Sequence, residues 1–387
     1  MRSTEFIALC AACMMLTAVG IDVMLPTFTA IRHDFGLREN ANETAYVVTV
    51  FFWGQLFQII FGLMSDRRGR LYVLRLGFLL YVVGSLGAAL SGNLTHMIFS
   101  RFIAGAGASA VFMSIIAIVR DKFSGDKMAK VMSFIFTIFL FTPVVAPFLG
   151  SAILKLSDWR TGFFVPPIFA VIVFIWSLRI KETLLTAKRS NTKVSDVLPT
   201  LRDIINQRSF LRYTCITTLL FGGISSYVSN AEFIVSDLYK QPELFTRIFG
   251  CIGLAMAMGA LLNSKLVGIY GAKRTINKLL FCYFIIAIVM LVGVSVNMSL
   301  PNIYFFFGCI ALLLGINLAA EPNSSSMAME HVGENAGTAS ALYGTCFFFG
   351  GAMIGTLISY FISFGLIAMA LGFTAIGICT FYLNYKK

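Results

Sequence analysis

Long apolar runs dominate this sequence, and twelve of them are about as long as a lipid bilayer is thick. A helix needs about 20 mostly apolar residues to cross the hydrocarbon. Apolar residues make up 58% of the 387 positions and charged residues 12%, whereas soluble domains carry roughly 45–50% and about 25%. We therefore predict an all-α membrane protein with twelve transmembrane helices. The predicted spans are residues 6–29, 46–64, 73–91, 95–119, 131–154, 162–180, 212–235, 247–268, 276–296, 303–327, 337–362 and 364–384.

The longest polar stretch divides the predicted spans into two sets of six. It runs from Lys181 to Arg212. We predict an N-terminal six-helix half at 1–180, a cytoplasmic linker at 181–211 and a C-terminal six-helix half at 212–387. In the linker, Ser195 and the residues after it are typical of an N-cap that opens a short amphipathic helix.

The basic residues predict the orientation of the chain in the membrane. With the N-terminus inside, 23 of the 30 lysines and arginines lie on the cytoplasmic side, 6 lie on the opposite side and one lies within a span. The positive-inside rule therefore predicts that both termini are cytoplasmic. The net charge of +12 does not indicate a nucleic-acid partner, because no basic stripe alternates with exposed aromatic residues.

Several other functional classes lack the residues that they need. The eight cysteines lie in apolar runs without metal-site spacing. No Gly-Lys dipeptide is available for a phosphate-binding loop, and no nucleophile–base pair is visible. The first apolar run exceeds the core of about 7–15 residues found in cleavable signal peptides, so we expect it to be a span. We expect a protein that is not an enzyme and that needs no metal or cofactor.

The loop between the second and third spans carries the most specific motif. It reads G-L-M-S-D-R-R-G-R from Gly62 to Arg70. Gly62 and Gly69 permit a tight turn at a helix end. Asp66 can accept hydrogen bonds from a helix N-terminus, and Arg67 and Arg70 can pair with acids across a helix interface. In this position, the loop resembles the signature loop of the major facilitator superfamily.

Two further stretches are similar to motifs of the same superfamily. Residues 101–108 resemble its buried-arginine motif in helix 4. Residues 142–151, with Pro143, Pro147 and Gly150, resemble the proline–glycine motif that is associated with antiporters in helix 5. Ala146 and Ser151 stand where glycines are usual.

The resemblance implies a fold and a branch of the superfamily. The implied fold has two six-helix halves around a central cavity. Residues 20–26 resemble helix 1 of drug:proton antiporters, especially the bicyclomycin- and chloramphenicol-resistance exporters, and residues 322–323 and 337–341 point the same way. A multi-pass location in the bacterial inner membrane is therefore expected. The resemblance also implies a cytoplasmic gate, in which Arg70 pairs with Asp121 and Asp66 meets the N-terminus of helix 11.

Four ionisable side chains lie within predicted spans, where such a group costs about 2.5–3.5 kcal/mol near the bilayer centre. They are Asp22, Arg101, Glu232 and Glu321. Asp22 and Arg101 lie at similar depth, so they could pair, either as a static structural pair or as a proton-coupling site. Glu232 is either a second proton or cation site or a residue at the wet rim. Glu321, a further proton-coupling candidate, either faces the cavity or is a solvated residue at a helix bend.

The resemblance leaves two functions open. The favoured one is a monomeric, proton-coupled antiporter that exports small lipophilic or cationic compounds by alternating access and uses the proton gradient as its energy source. The alternative is a dedicated carrier of a metabolite such as a siderophore, amino acid or sugar, working by proton-coupled uptake. The candidate cavity-lining residues are Tyr46, Phe52, Gln55, Tyr227, Asn230 and Asn317.

Overall fold

The protein is all-α throughout the part of the chain that the structure describes. The computed structural model describes residues 3–37, 43–123, 125–184, 194–296, 300–330, 332 and 336–385. In chain order, the helices are α1 (Ser3–Asp22), α2 (Phe28–Asp34), α3 (Ala45–Trp53), α4 (Gln58–Arg68), α5 (Arg70–Ala89), α6 (Leu94–Lys122), α7 (Gly125–Leu156), α8 (Trp159–Ser177), α9 (Val194–Asn206), α10 (Arg208–Phe233), α11 (Phe245–Tyr270), α12 (Ala272–Val296), α13 (Ile303–Met329), α14 (Ala336–Thr345), α15 (Gly351–Tyr360) and α16 (Leu366–Tyr385).

Ten helical stretches of the described residues are long and apolar enough to cross a membrane. The predicted spans 131–154 and 212–235 lie in α7 and α10, which are not among the ten. In α7 the apolar stretch that qualifies, Phe141–Leu156, is shorter than a full span. The sequence of α10 is rich in serine, threonine, asparagine and glycine, which lowers its hydropathy. The count of twelve spans therefore stays a prediction.

The chain forms two compact units. The first contains Met1–Thr27 and Val50–Leu201, and the second contains Phe28–Thr49 and Arg202–Lys387. The chain passes between the two units three times, and the third passage, between Leu201 and Arg202, lies within α9 and inside the predicted linker. Residues 185–193 of that linker lie outside the described part. The segment Phe28–Thr49 precedes the linker in sequence but belongs to the second unit. The two six-helix halves stay a prediction.

Small residues let helices approach closely within each unit. In the first unit, a Cβ added at Gly84 of α5 would lie 2.3 Å from the backbone nitrogen of Ala104 in α6. In the second unit, a Cβ added at Gly259 of α11 would lie 2.1 Å from the carbonyl oxygen of Gly315 in α13. Such contacts are typical of helices that pack in lipid, where van der Waals packing replaces the hydrophobic effect between helices.

Candidate functional site

Arg101 lies in the second turn of α6 and is fully buried. Its Nη2 donates a hydrogen bond to the carbonyl oxygen of Gly20 in α1, at 2.7 Å. Its guanidinium lies over the ring of Phe51, 4.4 Å from the ring centroid, which is a favourable cation–π distance. Arg101 therefore holds α1 and α3 against α6 through a backbone carbonyl and a ring face.

Asp22, the last residue of α1, is 5% exposed. Its Oδ2 is buried and accepts no hydrogen bond from any described residue. The carboxylate forms no ion pair with Arg101, so the predicted pairing is wrong for this structure. Equal depth fixes only the height of two side chains along the membrane normal, whereas their meeting also depends on where each points around its helix. The guanidinium bonds the backbone of α1 two residues before Asp22 instead.

The residue after Asp22 forms a close contact with α7. A Cβ added at Gly150 would lie 1.9 Å from the carbonyl oxygen of Val23, so no side chain fits there. Ala146 packs in a small cluster with Val19 and Val23. The alanine at a position where glycine is usual therefore still permits a close α1–α7 contact. The motif residues Pro143 and Pro147 lie inside α7.

The signature loop forms an ion-pair cluster at the junction of α4 and α5, which we call the Arg70 cluster. The buried Arg70 side chain pairs with Asp66 and, through Nε, with Asp121 Oδ2 at 3.1 Å. Glu182 accepts hydrogen bonds from the backbone N–H groups of Arg70 and Leu71, at 3.1 Å each. This carboxylate caps the N-terminus of α5, where unpaired N–H groups favour an anion.

Among the remaining motif residues of this loop, Gly69 shapes the turn, whereas Gly62, expected at a helix end, lies inside α4. Gly69 has a φ of +104°, a backbone conformation that glycine adopts without the steric penalty of a Cβ. Arg67 also lies within α4. Sequence reasoning assigned the helix-capping role to Asp66, but Glu182 caps α5 and Asp66 pairs with Arg70. The expected contact between Asp66 and helix 11 stays a prediction.

Glu232 belongs to a second buried ion-pair cluster, within the second unit, which we call the Arg32 cluster. Its Oε2 lies 2.9 Å from Arg32 Nη1, and the two side chains are 3% and 6% exposed. Arg32 also pairs with Asp237 and donates to Thr44 Oγ1 at 3.0 Å, and Thr29 donates to Glu232. The alternative that placed Glu232 at a wet rim is therefore wrong.

Glu321 lies in α13 and is half-buried. Its Oε1 accepts a long hydrogen bond of 3.4 Å from the hydroxyl of Tyr343 in α14. No arginine, lysine or histidine among the described residues pairs with it. Its environment thus differs from that of Glu232, which has a cation and a hydroxyl donor.

The three amides among the candidate cavity residues each donate a hydrogen bond within the protein. Gln55 donates to the Gly105 carbonyl at 3.4 Å. Asn230 donates to the Ser226 carbonyl and to Ser359 Oγ, at 2.7 Å each. Asn317 donates to the Leu220 carbonyl at 3.0 Å. All three are almost fully buried, so they join helices in this structure, and their contact with a substrate stays a prediction.

The three aromatic candidates differ in exposure. Phe52 is buried, and Tyr46 is half-buried. Tyr227 is buried and stacks on Phe249, with ring centroids 5.7 Å apart and an interplanar angle of 18°. Their role as substrate contacts also stays a prediction.

Comparison with known proteins identifies the family. The family model described as Major Facilitator Superfamily matches residues 7–356. The MFS-type transporter YdgK of Bacillus subtilis is 32% identical over 334 residues, which cover 85% of this chain and 82% of YdgK. A bicyclomycin resistance protein homolog of Haemophilus influenzae is 28% identical over 359 residues, covering 89% of this chain and 86% of the relative.

A solved structure supports the fold. The crystal structure of a D-xylose–proton symporter superposes with a TM-score of 0.79 at 13% identity, covering 99% of this chain and 97% of that one. The predicted fold class and the resemblance to the drug-resistance branch are therefore confirmed. The protein is a multi-pass membrane transporter and not an enzyme. The chain belongs to the major facilitator superfamily.

Proposed function

We propose that this transporter is a proton-coupled antiporter that exports small lipophilic or cationic compounds by alternating access. The observation that carries the proposal is Asp22, a buried acid in α1 with a carboxylate oxygen that no described residue hydrogen-bonds. A buried ionised carboxylate without donors is costly, whereas a proton removes that cost by neutralising the group. Asp22 is therefore the leading proton-binding residue.

The neighbourhood of Asp22 suggests how its charge is linked to movement. Val23 packs directly on Gly150 of the proline-containing helix α7. Arg101 bonds the same end of α1 at Gly20. Gain or loss of a charge at Asp22 thus acts on a helix end that two other helices hold, and Arg101 has a positioning role. Small shifts at such a packed contact can be amplified because close-packed interfaces do not deform continuously.

Two ion-pair clusters support alternating access. The Arg70 cluster lies at the predicted cytoplasmic end, and the Arg32 cluster joins α2 and α10 at the predicted opposite end. We infer that each cluster forms when its own side of the transporter is closed and breaks when that side opens. Glu232 is then a gate residue rather than a proton carrier.

Drug export is favoured by the resistance named in the description of the Haemophilus influenzae relative. We further infer that the protein works as a monomer in the bacterial inner membrane, with both termini cytoplasmic and without a cofactor. Reporter fusions at the two termini test the orientation. Periplasmic activity of a reporter at either end would contradict it.

Transport in proteoliposomes under an imposed pH gradient tests the proposed activity. The probes are ethidium, tetraphenylphosphonium and chloramphenicol, together with an amino acid, a sugar and an iron-free siderophore. We expect the three drugs to move opposite to the protons, and Asp22→Asn to abolish this movement. Movement of a metabolite in the same direction as the protons would instead establish the uptake alternative.

A further inference from the structure

Glu321 is an acid within a membrane helix, and no cation in the described part of the protein pairs with it. At 1.5 Å per residue, it lies about 12 Å from the end of α13 at Met329. Its hydrogen-bond partner is the hydroxyl of Tyr343, at 3.4 Å. That hydroxyl also contacts the side chains of Thr217 and Ser325. The Tyr343 hydroxyl supplies one proton, whereas an ionised carboxylate can accept about four hydrogen bonds, so the described residues leave most of this acceptor capacity unused.

The same unit contains a useful comparison. The Glu232 carboxylate is held by Arg32 and by the hydroxyl of Thr29, and its side chain is 3% exposed. Glu321 has no such cation, yet it is accessible enough to be half-buried rather than buried. An ionisable residue inside a membrane protein normally pairs with another group or faces a water-filled pathway. At Glu321 the balancing partner is therefore either a proton, as proposed for Asp22, or a cation that comes from outside the protein.

Aromatic rings extend from the hydroxyl that bonds Glu321. Tyr343 stacks on Phe347, with centroids 6.3 Å apart and an interplanar angle of 6°. Phe347 in turn lies 4.5 Å from the ring of Phe221 in α10. Ring faces attract cations and also accept apolar groups. An acid beside stacked rings is the chemistry that recognises an ion carrying large apolar substituents.

We propose that Glu321, Tyr343 and Phe347 form the subsite for the cationic group of a lipophilic substrate, such as an ammonium or phosphonium ion. The Glu321 carboxylate supplies the opposite charge, and the two stacked rings receive the apolar substituents. An anionic substrate would be repelled at this position. The inference rests on the proposed export function and specifies its substrate class. It assigns the proton to Asp22 and the substrate cation to Glu321.

Equilibrium binding to the purified protein in detergent, without any gradient, tests the subsite. The probes are tetraphenylphosphonium, a permanent cation, and chloramphenicol, which is neutral. Glu321→Gln should weaken tetraphenylphosphonium binding by about tenfold or more, which corresponds to about 1.4 kcal/mol. Chloramphenicol binding should change by less than about twofold. Equal losses for the two probes, or an unchanged affinity for the cation, would overturn the assignment.

Matched variants separate charge from ring chemistry. Glu330→Gln makes the same charge change at the exposed end of the same helix and should leave both affinities unaltered. Tyr343→Phe keeps the ring and should retain cation affinity within about twofold, whereas Tyr343→Leu should lower it by about threefold or more. Equal cation affinities for these two Tyr343 variants would show that the ring does not contribute to cation binding.

A measurement on the unmodified protein covers the case in which Glu321→Gln fails to fold. A carbodiimide modifies accessible carboxyl groups within membranes, and mass spectrometry locates the modified residue. Tetraphenylphosphonium should protect Glu321 from the reagent, and chloramphenicol at the same occupancy should protect it less. Equal modification of Glu321 with and without the cation would reject the subsite.

The binding measurement tests the subsite and the transport measurement tests proton coupling, so either proposal can be rejected without the other. Binding of tetraphenylphosphonium through Glu321 without proton-driven exchange would retain the subsite and reject proton coupling. If chloramphenicol export is proton-driven but Glu321→Gln leaves the affinity for tetraphenylphosphonium unchanged, the subsite alone is rejected. If the unmodified protein does not bind tetraphenylphosphonium, the subsite is wrong.

Discussion

Arg32 in α2 and Glu232 in α10 form a buried ion pair with 2.9 Å between Nη1 and Oε2, although 200 residues separate them in sequence. Removing one member of such a pair typically costs about 3–5 kcal/mol, because the other charge stays buried. Arg32→Gln should lower the melting temperature more than Glu232→Gln does, because Arg32 also forms an ion pair with Asp237. Thermal unfolding of the purified variants measures both effects.

The double variant sharpens this prediction. Arg32→Gln combined with Glu232→Gln should lose less stability than the sum of the two single changes, since residues in one ion-pair network couple. Glu243→Gln, at an exposed position before α11, is the control and should melt like the unmodified protein. Simple additivity would mean that the two charges contribute independently.

Asp22→Asn tests the proposed proton site. The amide imitates the neutral carboxyl, so the protein should still insert, fold and bind chloramphenicol. Proton-driven exchange in proteoliposomes should fall to the background of empty vesicles, while downhill movement of the drug persists. Asp203→Asn, which neutralises an exposed acid of α9, should exchange normally. If Asp22→Asn exchanges at the normal rate, the coupled proton binds at a residue other than Asp22.

Gly150→Ala should disturb the contact between α1 and α7. The new Cβ would lie 1.9 Å from the Val23 carbonyl oxygen, so the helices must separate locally. Overpacking of this kind typically costs about 1–3 kcal/mol, and we expect both a lower melting temperature and slower exchange. Gly308→Ala is the control, because a Cβ there meets nothing within 4 Å. Equal melting temperatures for these two variants would contradict the close contact.

Arg70→Lys should impair transport although it keeps the positive charge. The guanidinium pairs with Asp66 through Nη1 and with Asp121 through Nε, and a single ammonium does not reproduce this planar fork. We expect at least a severalfold lower exchange rate at similar protein levels. Arg75→Lys, at an exposed position of the same helix, should have no effect. Normal exchange by Arg70→Lys would show that the fork geometry is dispensable.

The spans and the signature loop were predictable because they are local properties of the sequence. A run of about 20 apolar residues requires no knowledge of its neighbours, and the turn at Gly69 follows from adjacent residues. The hydropathy of α10 is lower, because its polar side chains form contacts between helices. Asn230, which bonds Ser359, is one example.

The partners of the charged residues were harder to predict. Depth along the membrane matched Asp22 to Arg101, but the direction of each side chain depends on helix packing. Arg32 looked like a loop residue because it follows the first apolar run, and its two acids lie 200 and 205 residues away. The signal that could have found the Arg32 cluster was the presence of Glu232 and Asp237 together near one end of a span.

The membership of Phe28–Thr49 in the second unit has a consequence for dividing the gene. A C-terminal fragment that begins after the linker would lack α2 and with it Arg32, so Glu232 and Asp237 would lose the guanidinium that they share. Such a fragment should be degraded when produced alone and rescued when the N-terminal fragment is produced beside it. Residues 28–49 thus belong structurally to the second unit although they are encoded ahead of the linker.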